Sequence, residues 1–107
     1  MTFGNRIREL RQAKNLTLRD VAKRVKVTFT YLCKVENQKL SFGAFPSDDL
    51  IVRLARVLEA DPDELLLLAE KIPDSICKRV LQRPDVFRRM ADLDDAALDR
   101  LMAHMDE

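Results

Sequence analysis

Apolar residues recur three and four positions apart in one segment of the chain after another. That spacing places them on one face of a helix, whereas a half-buried strand would alternate apolar and polar residues. No segment shows the alternating pattern, and the 107 residues include only two glycines. The sequence therefore predicts an all-α fold.

Five helices are predicted within the first 70 residues, because capping side chains mark where each helix begins. Hydroxyl groups before the first four helices can accept a hydrogen bond from free backbone N–H groups, and Asp61-Pro62 opens the fifth. The first helix is expected from Phe3 to Lys14 and the fourth from Asp48 to Glu59. The second, third and fifth helices are expected to begin at Leu18, Phe29 and Pro62. On the first helix, we expect Phe3, Ile7, Leu10 and Ala13 to face inward.

Residues 71–107 are predicted to form a short helical extension. Pro73 and Pro84 each open a short amphipathic pattern, and a last helix is expected from about Asp94 to Met105. These stripes are too short to form a stable core alone. They either dock on the preceding residues or pair with a second chain, and we favour pairing into a homodimer.

The second and third predicted helices are joined by a tight turn, with Thr17 and Thr28 as their caps. Both helices carry apolar stripes that can share one core, which is typical of a helix-turn-helix. The outward face of the third helix could enter a DNA major groove. It carries Phe29, Thr30, Cys33, Lys34 and Asn37.

With these features, the chain resembles the lambda-repressor-like (Cro/XRE-type) family of bacterial and phage DNA-binding domains over roughly Met1 to Glu70. The resemblance rests on Leu-Thr-x-x-x-Val-Ala at residues 16–22, Tyr-Leu-x-Lys-Val-Glu-Asn at residues 31–37, Pro-Ser at residues 46–47 and the order of the helices. It implies a five-helix DNA-binding domain at residues 1–70, followed by the extension at residues 71–107.

Three positions depart from the family pattern. Leu18 stands where the family often has a Gln that contacts DNA, and Gln38 replaces a common Gly. Lys26 occupies the turn position that Gly usually holds. If φ is positive there, Lys26 bears a strain of about 1 kcal/mol.

The resemblance implies that the start of the third helix meets the edges of bases. Phe29 could contact a thymine methyl, Thr30 could bond either kind of base edge, and Lys34 could donate to guanine. Cys33 is a weaker candidate. Phe29 could instead pack on a partner or turn inward.

Contacts to DNA phosphates are expected from side chains around the same motif and from helix N-termini, with Arg8 as a further candidate. The residues are Thr17, Arg19, Thr28, Tyr31, Asn37 and Lys39. Tyr31 could instead have a half-buried packing role. Glu36 is expected to be structural, pairing with Arg11 or Arg8 on the first helix.

Two aromatic residues, Phe42 and Phe45, lie in a linking segment that is longer than usual for the family. They either fold back on the core or contact a dimer partner or the DNA backbone.

The charge is divided unevenly along the chain. The first 40 residues carry ten Lys and Arg against three Asp and Glu, a net charge of +7, whereas the remaining residues carry nine against fifteen, a net charge of −6. This division suits a protein that presents one face to phosphates and keeps another for protein contacts.

Other functional classes lack their sequence signals. The single histidine, His104, has no companion nucleophile, and Cys33 and Cys77 lack the spacing of a metal site. We therefore expect no enzymatic activity, no metal and no cofactor. No apolar stretch is long enough to span a membrane and no secretion signal is evident, so a cytoplasmic protein is expected.

The favoured interpretation is a dimeric transcription regulator, in particular a repressor that binds double-stranded DNA at a palindromic operator. The alternative is an antitoxin or another protein-interaction module, in which a cognate toxin or similar partner is bound and DNA binding is secondary.

Overall fold

A computed structural model of the chain describes residues 1–40 and 44–107. Over these ranges the chain forms eight α-helices and no strand. They are α1 (Phe3–Ala13), α2 (Leu18–Val25), α3 (Phe29–Glu36), α4 (Asp48–Leu58), α5 (Pro62–Leu68), α6 (Asp74–Gln82), α7 (Pro84–Ala91) and α8 (Asp95–Met105). The prediction of an all-α chain, with five helices and a helical extension, is confirmed.

The helices separate into two compact units. The first unit, Met1–Pro73, contains α1 to α5, and the second unit, Asp74–Glu107, contains α6 to α8.

The first unit is built around α4, which packs against α1, α2 and α5, while α3 packs against α1 and α2. Its apolar core draws on all five helices and includes Ile7, Val21, Leu32, Leu54 and Leu65, each fully shielded from solvent. Phe45 is partly buried against this core, as the fold-back alternative predicts, whereas Phe42 lies outside the described residues.

Local side-chain caps explain where the helices of the first unit begin. The hydroxyl oxygens of Thr2, Thr17, Thr28 and Ser47 accept hydrogen bonds from backbone N–H groups at 3.0 to 3.3 Å, and an Asp61 carboxylate oxygen does so at 2.9 Å. Each cap satisfies a backbone donor that the first helical turn leaves free. All five predicted caps are confirmed.

One residue of the predicted inward face is placed differently. Ala13 is exposed and ends α1. A helix turns by about 100° per residue, so ten residues after Phe3 the chain has rotated to the edge of the apolar stripe. The expectation that Ala13 faces inward is therefore wrong.

Among the described residues of the first unit, five that are not glycine adopt the left-handed conformation, with φ between 54° and 63°. They are Asn15, Lys26, Gln38, Glu59 and Glu70. Lys26 follows α2 with φ 63°, as expected for a position that the family gives to glycine. A side chain in this conformation costs about 1 kcal/mol, because Cβ crowds the following carbonyl oxygen.

Gly4 lets α1 approach the end of α3 closely. A Cβ atom built on Gly4 would lie 2.5 Å from the carbonyl oxygen of Glu36 and 2.7 Å from that of Val35. Both neighbours are backbone atoms at the end of a packed helix, so they cannot move aside as a flexible side chain would. Gly4 therefore fixes the distance between the two helices.

The second unit has no comparable core. Within Asp74–Glu107, all of which is described, no residue is buried. Leu81 is 80% exposed, and Met102 and Met105 on α8 are 57% and 68% exposed. Among the described residues, no helix is long and apolar enough to cross a membrane.

We expect Gly4→Ala to destabilise the first unit, although alanine is the better helix former by about 1 kcal/mol. The added methyl must push α1 away from α3, and such overpacking costs about 1–3 kcal/mol. Urea unfolding measures the change in the free energy of unfolding. As a control, Asn5→Ala adds the same helix-forming residue at an exposed neighbour, and it should be neutral or stabilising. An unchanged or higher stability of Gly4→Ala would contradict the close approach.

Candidate nucleic-acid interface

A short turn sets the angle between α2 and α3. Lys26 takes the left-handed conformation after α2, and Thr28 caps α3 two residues later. The backbone N–H of Val27 donates to the carbonyl of Ala22 at 3.0 Å, and its side chain is partly buried against the core. The turn is therefore tied to α2 and to the interior.

The start of α2 is held by reciprocal hydrogen bonds. Asp20 N–H donates to the Thr17 hydroxyl oxygen at 3.0 Å, while Thr17 N–H donates to the Asp20 carboxylate at 3.0 Å. The bond from the Thr17 backbone is the main reason that the pKa of Asp20 lies below its usual value. This contribution to stability is present above the unfolded-state pKa of about 3.9 and is lost as the pH falls through the lowered folded-state value.

The third helix divides into an inner and an outer face. Leu32, Val35 and Glu36 are buried, and the four predicted base-contacting residues lie on the other side. Thr30 and Lys34 are exposed one turn apart, while Cys33 between them is half-buried. The helix therefore presents a continuous outer surface that the core does not use.

Phe29, the first residue of α3, remains 38% exposed and does not turn into the core. The guanidinium carbon of Arg19 lies 4.5 Å from the centre of its ring. Arg19, predicted to contact phosphate, is thus placed against a residue predicted to contact bases.

Lys39, a predicted phosphate contact, and Lys34, a predicted base contact, both carry free charges. Both side chains are exposed, and neither ammonium group has a partner within residues 1–40 and 44–107. Thr17 and Thr28 use their hydroxyl oxygens as acceptors in the helix caps, which leaves each hydroxyl proton available as a donor.

Asn37, a further predicted phosphate contact, is occupied within the protein. Its Oδ1 accepts a hydrogen bond from Arg8 at 2.5 Å, while its Nδ2 donates to the carbonyl of Cys33 at 2.9 Å and lies 3.4 Å from Cys33 Sγ. The amide therefore connects the end of α3 to α1.

A shallow depression beside α3 contains a residue that the sequence interpretation missed. Tyr31, which is half-buried, lines it with Thr28, Ser47 and Arg53, and two of these residues cap helices. Nε of Arg53 is buried and has no hydrogen-bond partner in the described part of the chain. The sequence offered one signal for Arg53: this arginine follows buried Leu50 by three residues, which places it at the edge of the apolar stripe of α4.

A buried carboxylate fixes the inner side of α3. Glu36 is 1% exposed, and its oxygens accept from Arg11 Nε at 2.8 Å and Arg11 Nη2 at 3.1 Å. Arg8 Nε lies 3.4 Å from the same carboxylate, and Arg11 Nη1 also donates to the carbonyl of Leu16 at 3.0 Å. Glu36 was expected to pair with Arg11 or Arg8; the pairing with α1 is confirmed, and both of these arginines take part in it.

Replacing the buried carboxylate should strongly destabilise the first unit. We expect Glu36→Gln to lower the free energy of unfolding by about 3–5 kcal/mol, because Arg11 is left charged and partly buried without its partner. Chemical unfolding is the measurement. Glu9→Gln removes an exposed carboxylate from its pair with Arg6 and should cost less than about 1 kcal/mol. Equal effects of the two substitutions would argue against the structural role of Glu36.

Comparison with known proteins extends this description. A family model described as a helix-turn-helix domain matches residues 2–68. Among solved structures, a chain of the complex named SinR protein/SinI protein complex is 19% identical, with a TM-score of 0.55, and the match covers 98% of this chain and 95% of that chain. At this identity the likeness shows the fold alone. No curated protein matches the sequence. Because the family model covers more than half of the chain, the protein belongs to the helix-turn-helix domain family, as its resemblance to lambda-repressor-like proteins led us to expect.

Proposed function

We propose that the chain is a sequence-specific transcription regulator, and that it acts as a dimeric repressor at a palindromic operator. The observation that carries the proposal is the outer face of α3. Thr30 and Lys34 are exposed there, while the inner face is fixed to α1 and the core. A rigid helix with an unused polar face is what insertion into a major groove requires.

Base recognition is assigned to four residues of α3. Lys34 donates to guanine O6 and N7, Thr30 bonds a base edge, and Phe29 contacts a thymine methyl. Cys33 has a minor role, because it is half-buried and its carbonyl and sulfur contact Asn37.

Phosphate contacts are assigned to the edges of the same surface. The hydroxyl protons of Thr17 and Thr28, the Tyr31 phenol and the Lys39 ammonium are the donors, and Arg19 adds positive charge at the start of α2. We add Arg53, because this arginine lines the depression beside α3. Asn37 supports this surface by holding Arg8 against the end of α3.

In this proposal, residues 1–70 bind DNA and residues 71–107 form the dimer. The second unit leaves Leu81, Met102 and Met105 largely exposed, and short helices with exposed apolar side chains gain stability by pairing. A dimer would place two recognition helices on the two halves of a symmetric site. Such a dimer could repress transcription by covering a promoter.

A second candidate function is that of an antitoxin or another protein-binding module. The exposed apolar residues of the second unit support it, since a different protein could cover them. The similar solved chain belongs to a complex of two proteins, which is consistent with this alternative.

Selection from random duplex DNA tests the proposal. The purified full chain should enrich a two-fold symmetric motif with half-sites about 34 Å apart, one helical turn. Binding to that motif should exceed binding to scrambled DNA at both of two salt concentrations. Weak, strongly salt-dependent binding without an enriched motif would contradict sequence-specific regulation and favour the protein-binding alternative.

Lys34→Ala should weaken binding to the enriched site by about 1–3 kcal/mol and relax the choice at one base pair, because a bidentate contact to guanine is lost. Binding to operators that differ at single positions measures both effects. Lys39→Ala is the matched control, since loss of a phosphate contact weakens binding to every sequence alike. If Lys34→Ala behaves like the control, Lys34 contacts phosphate instead.

Placing charges on the exposed face of α8 should disrupt the dimer. We expect the double variant Met102→Glu and Met105→Glu to sediment as a monomer at concentrations where the wild type is a dimer, since like charges would meet at an apolar contact. The melting temperature of the first unit should stay unchanged. Arg100→Glu, an exposed charge reversal on the same helix, is the control. A dimer that persists in the double variant would remove α8 from the interface.

A further inference from the structure

We propose that Arg19 and Phe29 together recognise one base step, namely a pyrimidine with a C5 methyl group beside a guanine. Phe29 contacts the methyl group, and Arg19 donates to the major-groove edge of the guanine. The inference rests on the proposed function, and it reassigns Arg19 from phosphate binding to base recognition.

The geometry joins the two helices of the helix-turn-helix at the surface. Arg19 is the second residue of α2, and Phe29 is the first residue of α3. The guanidinium lies 4.5 Å from the centre of the phenylalanine ring, within the range of a cation–π contact. An exposed arginine that would otherwise sample many rotamers is thereby held beside the outer face of α3.

Among the described residues, the positive charge of Arg19 is also not neutralised by a neighbouring carboxylate. In the described part of the chain it makes no hydrogen bond or ion pair, whereas Arg6, Arg8 and Arg11 on α1 all pair with carboxylates. The neighbouring carboxylate of Asp20 is bonded to the Thr17 backbone. The charge of Arg19 is therefore available to a ligand that meets this surface.

The donors of the Arg19 guanidinium have no protein partner in the described part of the chain, although the group contacts the Phe29 ring. A guanidinium uses its flat side against an aromatic ring, while its N–H groups lie in its plane and point outward. That planar fork matches the O6 and N7 acceptors of guanine, which is the commonest specific contact of arginine with DNA. Phosphate neutralisation does not require this planar arrangement, because an ammonium group supplies it equally well.

Phe29 supplies the second half of the recognition. It offers no hydrogen bond, so the hydrocarbon that remains exposed beside Arg19 can recognise only apolar surface. In the major groove that surface is the C5 methyl of thymine. 5-Methylcytosine carries the same methyl on the same carbon, so Phe29 should accept either base and discriminate against uracil and unmodified cytosine.

The test uses the full chain and the operator that the wild type enriches. At the pyrimidine beside the guanine, two pairs of duplexes are compared: thymine against uracil, and 5-methylcytosine against cytosine. The members of each pair differ only in the C5 methyl group. Each methyl should improve binding by about fourfold, as expected for one buried methyl group. Replacing the guanine by 7-deazaguanine should weaken binding by about tenfold.

The variants separate base recognition from charge. Arg19→Ala should lose the preference for guanine over 7-deazaguanine. Arg19→Lys keeps the charge and a donor without the planar fork, so it should keep only part of that preference. Phe29→Ala should lose the preference for the methylated bases. Arg24→Lys and Arg24→Ala are the matched controls, because Arg24 is an exposed arginine of the same helix without a ring contact, and they should keep both preferences. Thermal unfolding checks that every variant is folded.

Three results would overturn the inference while leaving sequence-specific binding intact. They are an enriched motif without a thymine beside a guanine, an Arg19→Ala variant that keeps the guanine preference, and Arg19 variants that weaken all duplexes equally. If the wild type enriches no motif, the inference fails together with the proposed function.

Discussion

The orientation of α3 depends on one carboxylate that has been removed from water. Burying the charge of Glu36 is costly unless opposite charges and hydrogen bonds replace the lost hydration. Arg11 and Arg8 supply both, and both come from α1. Gly4 permits the short distance at which these contacts form. The buried inner face of α3 therefore fixes the orientation of the helix, and with it the orientation of the outer face. The residues of the outer face need not contribute to packing in the core.

The sequence predicts the features of the fold that arise locally. The caps at Thr17 and Thr28 involve residues three positions apart, and helical periodicity alone separates the inner from the outer face of α3. The strained position of Lys26 and the role of Glu36 followed from resemblance to a family. Each of these depends on spacing that is visible along the chain.

Other features depend on tertiary contacts and rotamers, and spacing does not reveal them. Arg19 and Phe29 lie on different helices, so their contact requires the angle set by the turn. Asn37 was expected to contact DNA phosphate, and its hydrogen bonds between α1 and α3 were not foreseen. Arg53 was overlooked because its significance lies in a depression shared with residues of another helix.

In the described part of the first unit, five non-glycine residues have left-handed φ, and four of them, including Lys26 and Glu59, are not asparagine. Each of these four sites can be relieved by a single substitution to glycine or asparagine, which tolerate this conformation. The chain thus carries several nearby routes to higher stability that touch neither the core nor the outer face of α3. A lineage that acquired a destabilising change on the outer face of α3 could recover the lost stability at one of these sites. The strained helix ends therefore allow the outer face to change in sequence while the fold is kept.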